Sequence, residues 1–251
     1  MKKILITNRK GGVGKTTTTV NLAYFFAKNG YKTLIIDLDT QGHIQYALGV
    51  KANFEYGIHS FLNGEDIKIK HIIHKSNIKN LYFIPANINV NHTVKDKNLL
   101  KKGLERLNFD ICLIDTAPSS DDLLESAIIA SDYVIAPMKC EYLGLVGTLQ
   151  FIKIFYKTAS KLNTDFSLLG IIPTMYNKSL KDHQEIIEKL KNVIGKKRVF
   201  SPIRKDFKLT KIFSRGIKPV AKTHLRSLED YNAVGNEILG KLNLKEKKKN
   251  Y

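Results

Sequence analysis

The chain has 251 residues, of which 43% are hydrophobic and 25% charged, with a formal net charge of +18. That length suits one α/β domain with a substantial core, and no apolar stretch approaches the roughly 20 residues needed to span a bilayer. Two cysteines, Cys112 and Cys140, make neither a disulfide framework nor a metal-like spacing, and Met1-Lys2-Lys3 runs into an apolar segment with no signal-peptide pattern, so a cytoplasmic protein is expected.

In chain order, Ile4-Leu5-Ile6 reads as a buried strand. Asn8-Arg9-Lys10-Gly11-Gly12-Val13-Gly14-Lys15-Thr16-Thr17 follows it and opens a helical pattern over residues 16–28, stopped by Asn29-Gly30. A glycine-rich turn between strand and helix is a phosphate site, because free backbone N–H groups and the helix dipole converge on one anion. The glycines admit close approach of the backbone, Lys15 reaches the β/γ oxygens, and the Thr16 hydroxyl suits Mg²⁺. The spacing departs from G-x-x-x-x-G-K-T, since Arg9 stands at the first glycine and a second lysine, Lys10, opens the loop.

Residues 33–36 form the next apolar strand, ending in Asp37-Leu38-Asp39-Thr40-Gln41-Gly42. Carboxylates at the C-terminal end of a parallel strand face the nucleotide crevice of an open α/β sheet, although paired aspartates also cap loops. Residues 58–62 and 67–73 read as short helices and 81–85 as a strand. The region 49–98 otherwise shows no legible contacts and is expected to carry a partner-facing surface.

A helix over 99–107 precedes the strand Ile111-Cys112-Leu113-Ile114, which Asp115 closes. In register with the loop upstream, this is a Walker B arrangement that places Asp115 near Mg²⁺ through its water shell. Cys112 is expected to be a small core residue, and Asp121 and Asp122 to cap the following helix. A strand over 133–137, a helix over 145–162 and a strand over 168–173 lead into Thr174-Met175-Tyr176-Asn177. Strands alternating with helices predict an α/β fold, a mostly parallel twisted sheet covered on both faces, as in a P-loop NTPase. No linker or repeat divides residues 1–251.

The charge is unevenly placed. Residues 196–226 hold eleven Lys/Arg against Asp206 alone, and residues 241–249 five lysines against Glu246, leaving +4 for the rest. Clustering of this kind marks a polyanion-binding surface, although a solvated basic face has the same composition. Arg204, Lys205, Lys208, Lys211, Arg215, Lys218, Lys222 and Arg226 are interleaved there with Phe207, Ile212 and Phe213. Non-specific DNA binding needs phosphate contacts rather than base reading, so scattered Lys/Arg suffice. A final helix over 231–242 presents Val234, Ile238 and Leu242 on one face, and residues 243–251 read as a flexible basic tail.

Lys10-Gly11-Gly12-Val13-Gly14-Lys15-Thr16 resembles the deviant Walker A motif of the ParA/MinD group of ATPases, and Arg9 resembles the ParA (Soj-type) branch, since the MinD-like branch usually has glycine there. The resemblance covers nearly the whole chain and implies ATP and Mg²⁺ as cofactors. It also implies a homodimer formed on ATP binding, in which Lys10 crosses to the phosphates of the other subunit. By position it gives catalytic roles to Lys10, Lys15 and Asp39, with Asp39 orienting the attacking water and Asp37 supporting the metal shell. The nucleotide contacts it implies are residues 10–17, namely Lys10, Gly11, Gly12, Val13, Gly14, Lys15, Thr16 and Thr17, with Asn177 near adenine. Thr40 and His43 stand where this family usually has proline and asparagine.

The same resemblance implies DNA binding without sequence preference through C-terminal basic residues, Arg226 matching one family position, and a ParB-like partner that stimulates hydrolysis in plasmid or chromosome partition on the nucleoid. Two other readings use the same loop: a MinD-like membrane-cycling ATPase and a ParA-like ATPase that positions a protein cargo. A membrane anchor is not expected, because Leu239, Leu242 and Leu244 lack bulky aromatic neighbours. Cys112 and Cys140 do not match the cysteines of a nitrogenase-like iron–sulfur protein.

Overall fold

The computed structural model describes residues 1–87, 93–118, 122–162, 164–217, 221, 225–245 and 247. Seven strands form one sheet in the order β3-β4-β2-β5-β1-β6-β7: β1 (Lys2–Ile6), β2 (Thr33–Asp37), β3 (His74–Lys75), β4 (Leu81–Ile84), β5 (Ile111–Asp115), β6 (Tyr133–Lys139) and β7 (Ser167–Thr174). Every pairing is parallel except β3 with β4. The chain leaves β1 toward β2 on one side of the sheet and later returns to lay β6 on the other. This reversal of direction beside β1 is where ligands bind in open α/β sheets.

Helices cover both faces: α1 (Lys15–Lys28), α2 (His43–Ala47), α3 (Ile58–Leu62), α4 (Leu99–Glu105), α5 (Asp122–Ala130), α6 (Tyr142–Lys161), α7 (Lys181–Ile194), α8 (Ile212–Arg215) and α9 (Arg226–Lys241). The pleat sorts the strand residues. Ile4 and Ile6 of β1 pack with α1, α2 and α9, while Leu5 between them packs on the face covered by α3 to α7. Because both faces are covered, the strands read as continuous apolar runs rather than alternating ones.

The strands predicted over 4–6, 33–36, 81–85, 111–114, 133–137 and 168–173 all form, each within two residues of its expected ends. Three elements lie outside those expected. β3 has two residues and α2 five, while α7 does show a helical period, with Ile186, Ile187, Leu190 and Ile194 recurring on one face among charged neighbours. The last helix starts at Arg226, five residues before the expected start, because its charged first turn interrupts the apolar spacing. The basic tail is partly docked: the Tyr31 hydroxyl donates to the carbonyl of Lys245, and Lys247 pairs with Asp110 at 2.6 Å. Residues 246 and 248–251 lie outside the described residues, as does Asp121.

Helix α9 is tied to α1. The hydroxyls of Thr18 and Tyr231 lie 3.1 Å apart in the core, and Gly235 lies against the Phe25 ring with no room for a Cβ. Phe25 is itself held edge-on against Phe26, with centroids 5.5 Å apart. Overpacking of this kind costs about 1–3 kcal/mol. Gly235→Ala is therefore expected to lower the thermal midpoint of the nucleotide-free chain by several degrees, whereas Gly240→Ala, where a Cβ meets nothing, is not.

Candidate nucleotide site

The register of the central strands levels three positions, Ile6 with Asp115 on one side and Asp115 with Asp37 on the other. Residues leaving these strand ends therefore converge: the glycine-rich loop after Ile6, the Asp37–Gly42 turn and Thr116.

The loop keeps its shape through backbone conformation and two buried ties. Gly12 and Gly14 have φ of 70° and 89°, the left-handed region that only glycine enters without strain. Gly11 and Gly12 are exposed, and a Cβ at either would meet nothing within 4 Å, so the loop borders open space. Asn8 is 1% exposed and donates to the Pro137 carbonyl (2.8 Å) and the Thr148 hydroxyl (3.1 Å), while its Oδ1 accepts from the backbone of Lys10. At the far side of the loop, the Thr174 hydroxyl donates to the Val13 carbonyl at 2.9 Å. The loop is thus clamped to β6, α6 and β7.

Lys15 enters α1 with only 7% of its surface exposed, and Nζ donates to the Lys10 carbonyl at 3.4 Å. Burial pulls its pKa below the usual lysine value, and the charges of Asp115 and Asp39 act in the opposite direction. The Thr16 and Thr17 side chains are half-buried at the same helix start.

Asp115 is completely buried. Its Oδ1 accepts from the Thr19 hydroxyl at 3.0 Å, and Oδ2 has no hydrogen-bond partner among the described residues. Burial pushes its pKa up to about 7, while the hydroxyls of Thr16 and Thr19 act in the other direction and the Asp39 charge adds to the rise. Asp37 is raised well above the usual carboxylate range, first by burial and then by Asp115, although its oxygens accept from the backbone N–H of Asp39 and Ile44, both at 3.1 Å. Asp39 is half-exposed and binds the Gln41 N–H at 3.1 Å.

A buried carboxylate oxygen with no partner, facing a lysine and a threonine hydroxyl, is a donor set that a hard cation with its own water shell suits. No trio of His, Cys, Asp or Glu able to hold a metal unaided occurs among the described residues.

Lys10 points elsewhere. Its ammonium is paired with Glu141 at 2.7 Å, and the other oxygen of Glu141 holds Lys139 at 2.7 Å. Both lysines depress the Glu141 carboxyl, Lys10 most. Asn177 is exposed, with its Oδ1 accepting from Ser179 N–H and its own N–H donating to His183 Nδ1, so its side chain shapes the turn into α7. Met175, two residues earlier, has a φ of 54°, a strained value for a side chain with a Cβ.

The basic residues divide. Arg204 forks onto Asp230 at 2.7 Å, binds the Arg226 carbonyl at 2.8 Å and approaches Glu229, so its guanidinium clasps the start of α9. Lys205 lies over the Phe207 ring at 4.7 Å. Lys208, Lys211, Arg215 and Arg226 are exposed on one stretch of surface chain and the first turn of α9. Lys218 and Lys222 lie outside the described residues. Sequence reasoning missed Asn8, Thr19, Glu141 and Thr148. No motif spacing marks them, because their partners are more than ninety residues away.

The raised Asp115 and Asp37 give the nucleotide-free chain a defined pH response. A carboxyl whose folded pKa exceeds its unfolded value of about 3.9 adds stability below that value and loses it as pH rises through the folded pKa. The melting temperature in chelator is expected to fall between about pH 4 and 7, and Asp115→Asn, which keeps an acceptor for Thr19, is expected to flatten that slope.

Residues 1–168 match the family described as AAA domain. The chain is 35% identical over 229 residues to the sporulation initiation inhibitor protein Soj of Bacillus subtilis, covering 87% of this chain and 90% of that protein. It is 31% identical over 251 residues to the chromosome-partitioning ATPase Soj of Treponema pallidum, with coverage of 96% and 98%. A putative plasmid partition protein of Borrelia burgdorferi, solved with AMPPNP bound, superposes with a TM-score of 0.76 at 29% identity, over 96% of this chain and 98% of that one. With the P-loop, the levelled carboxylates and these relatives in agreement, the chain belongs to the Soj/ParA family of partitioning P-loop ATPases.

Proposed function

We propose that the chain is an ATP-driven partition switch. It binds ATP with Mg²⁺, pairs with a second copy in that state, holds non-specific DNA, and lets go when a ParB-like partner stimulates hydrolysis. The observation that carries this reading is Lys15, buried between the loop carbonyl and the carboxylates of Asp115 and Asp39 behind an open glycine cradle. The AMPPNP held by the Borrelia relative supports the same nucleotide class.

In the proposed chemistry residues 10–17 cradle the phosphates and Lys15 offsets charge on the transferring group. Thr16 and Asp115 would hold Mg²⁺, with Asp37 behind them, and the ion would supply further neutralisation of phosphate charge. Asp39 lies at the water side and orients the nucleophile, and Asn177 belongs to the loop beside the base. Lys10 belongs to the partner copy's site. To reach it, Lys10 must leave its own Glu141, and exposed pairs of that kind contribute only about 0.2–1 kcal/mol each. The resting pair is thus a light hold on the lysine.

The C-terminal end of α9 does not favour a membrane-cycling reading. No described helix is long and apolar enough to cross a membrane, and Leu239 and Leu242, which an amphipathic anchor would need outward, are buried in the core. Cytoplasmic action on the nucleoid fits the exposed Lys208, Lys211, Arg215 and Arg226.

Sedimentation with a non-hydrolysable ATP analogue and Mg²⁺ is expected to show a dimer for the wild type and a monomer for Lys10→Ala, while Glu141→Gln, which frees Lys10 in each of the two copies, pairs more tightly. A wild type that stays single when saturated would refute the switch.

Retention on non-specific DNA is expected to require the analogue and to weaken steeply with salt. Replacing Lys208, Lys211, Arg215 and Arg226 together should make that salt dependence shallower, by about one log-log unit for each DNA phosphate no longer neutralised. Unchanged retention would remove this surface from the account.

A further inference from the structure

Helix α2 begins four residues after Asp39 and is fastened to the carboxylate cluster. Ile44 N–H donates to Asp37 Oδ2 at 3.1 Å, and Gly42, in the left-handed region at φ 61°, donates its N–H to the Asp39 carbonyl at 2.9 Å. Any displacement of Asp39 on filling the phosphate cradle is therefore passed to the first turn of α2.

The other side of α2 rests on the basic segment. Ile44, Ala47 and Leu48 are buried in the same cluster as Leu209, Ile212 and Ile217. Just past α2, Gly49 meets Gly216 backbone to backbone: a Cβ on Gly216 would sit 2.9 Å from the Gly49 Cα, and the two residues have φ of 73° and 79°. At the start of α2 the His43 ring stands edge-on to Phe213, with centroids 6.1 Å apart. Lys208, Lys211 and Arg215 face outward from that same short segment, which consists of a 3-10 turn, Phe207–Lys211, followed directly by α8.

We infer that α2 carries nucleotide state from Asp37 and Asp39 to the basic segment 207–217, with His43, Gly49, Phe213 and Gly216 as positioning residues for that coupling. The inference rests on the P-loop being an ATP site and on the segment being a polyanion surface. Two glycines in backbone contact leave no flexible side chain between the elements to absorb a shift, and close-packed contacts of this kind switch between discrete arrangements rather than deform. A nucleotide has the differential contact that any such shift requires, because the charge of Asp39 acts on Lys15 and Asp115, the groups that a phosphate and its cation would engage.

Backbone amide exchange, with and without a non-hydrolysable ATP analogue and Mg²⁺, tests this without DNA. In the wild type, exchange in 43–50 and in 207–217 is expected to slow together, by a factor within the usual coupling range of about 5–150. In His43→Ala, an exposed position, and in Phe213→Ala, residues 43–50 should still respond while the effect on 207–217 shrinks toward none. Gly216→Ala should act alike by wedging α8 off α2, and unchanged analogue affinity in His43→Ala confirms an intact cradle. A wild-type segment 207–217 that ignores the analogue, or one that responds equally in all variants, overturns the inference. A wild type that shows the coupled exchange but holds DNA equally with and without analogue refutes the DNA reading and leaves the coupling standing. Failure of the wild type to bind the analogue at all refutes the nucleotide reading.

Discussion

The cost of burying Asp115 organises this molecule. A carboxyl buried out of reach of solvent, with one oxygen lacking a partner among the described residues, is unfavourable, and the fold answers with Thr19, Thr16 and Lys15, all from the first turns of one helix. Those contacts require β1 and β5 to be neighbours in parallel register, which in turn puts the glycine-rich loop beside the carboxylate. The sheet order, the position of α1 and the shape of the loop all follow from keeping that group in place. Local instability at a site is a common companion of function, because the missing partner is supplied by the ligand.

A second consequence concerns the two lysines of the loop. They are five residues apart and have opposite circumstances. Lys15 is desolvated and faces acids of its own site, whereas Lys10 is solvated and borrowed by Glu141 at the head of α6. One is committed to its own chain and the other is held at small cost. That difference comes from the turn itself, since the Asn8 side chain fixes the backbone of Lys10 so that its side chain leaves on the α6 side.

The strands and the phosphate loop were legible in the sequence because each rests on local information: an apolar run, glycines where φ must be positive, a carboxylate at a strand end. What was not legible depends on long-range contact or on elements too short to have a period. Arg204 looks in sequence like any other member of the basic run, yet Asp230 and the Arg226 carbonyl occupy its guanidinium. Helix α7, by contrast, is legible, since Ile186, Ile187, Leu190 and Ile194 recur at helical spacing among its charges. Glu141 carries no motif, and its pairing with Lys10 depends on α6 beginning beside a loop 131 positions away in sequence.

Neither side of the sheet is left bare. At one end the two-residue antiparallel β3 stops the ladder after a single short rung, and at the other Val199 and Arg204 lie along β7 and its outgoing loop, at Ile171 and Tyr176. Strand borders finished in this way offer little backbone for another chain to zip onto, which guards a lysine-rich protein at high local concentration against ribbon-like assembly. An edge-to-edge contact between sheets would find few free backbone groups at either border, so any contact between copies has to be made by side chains or loops.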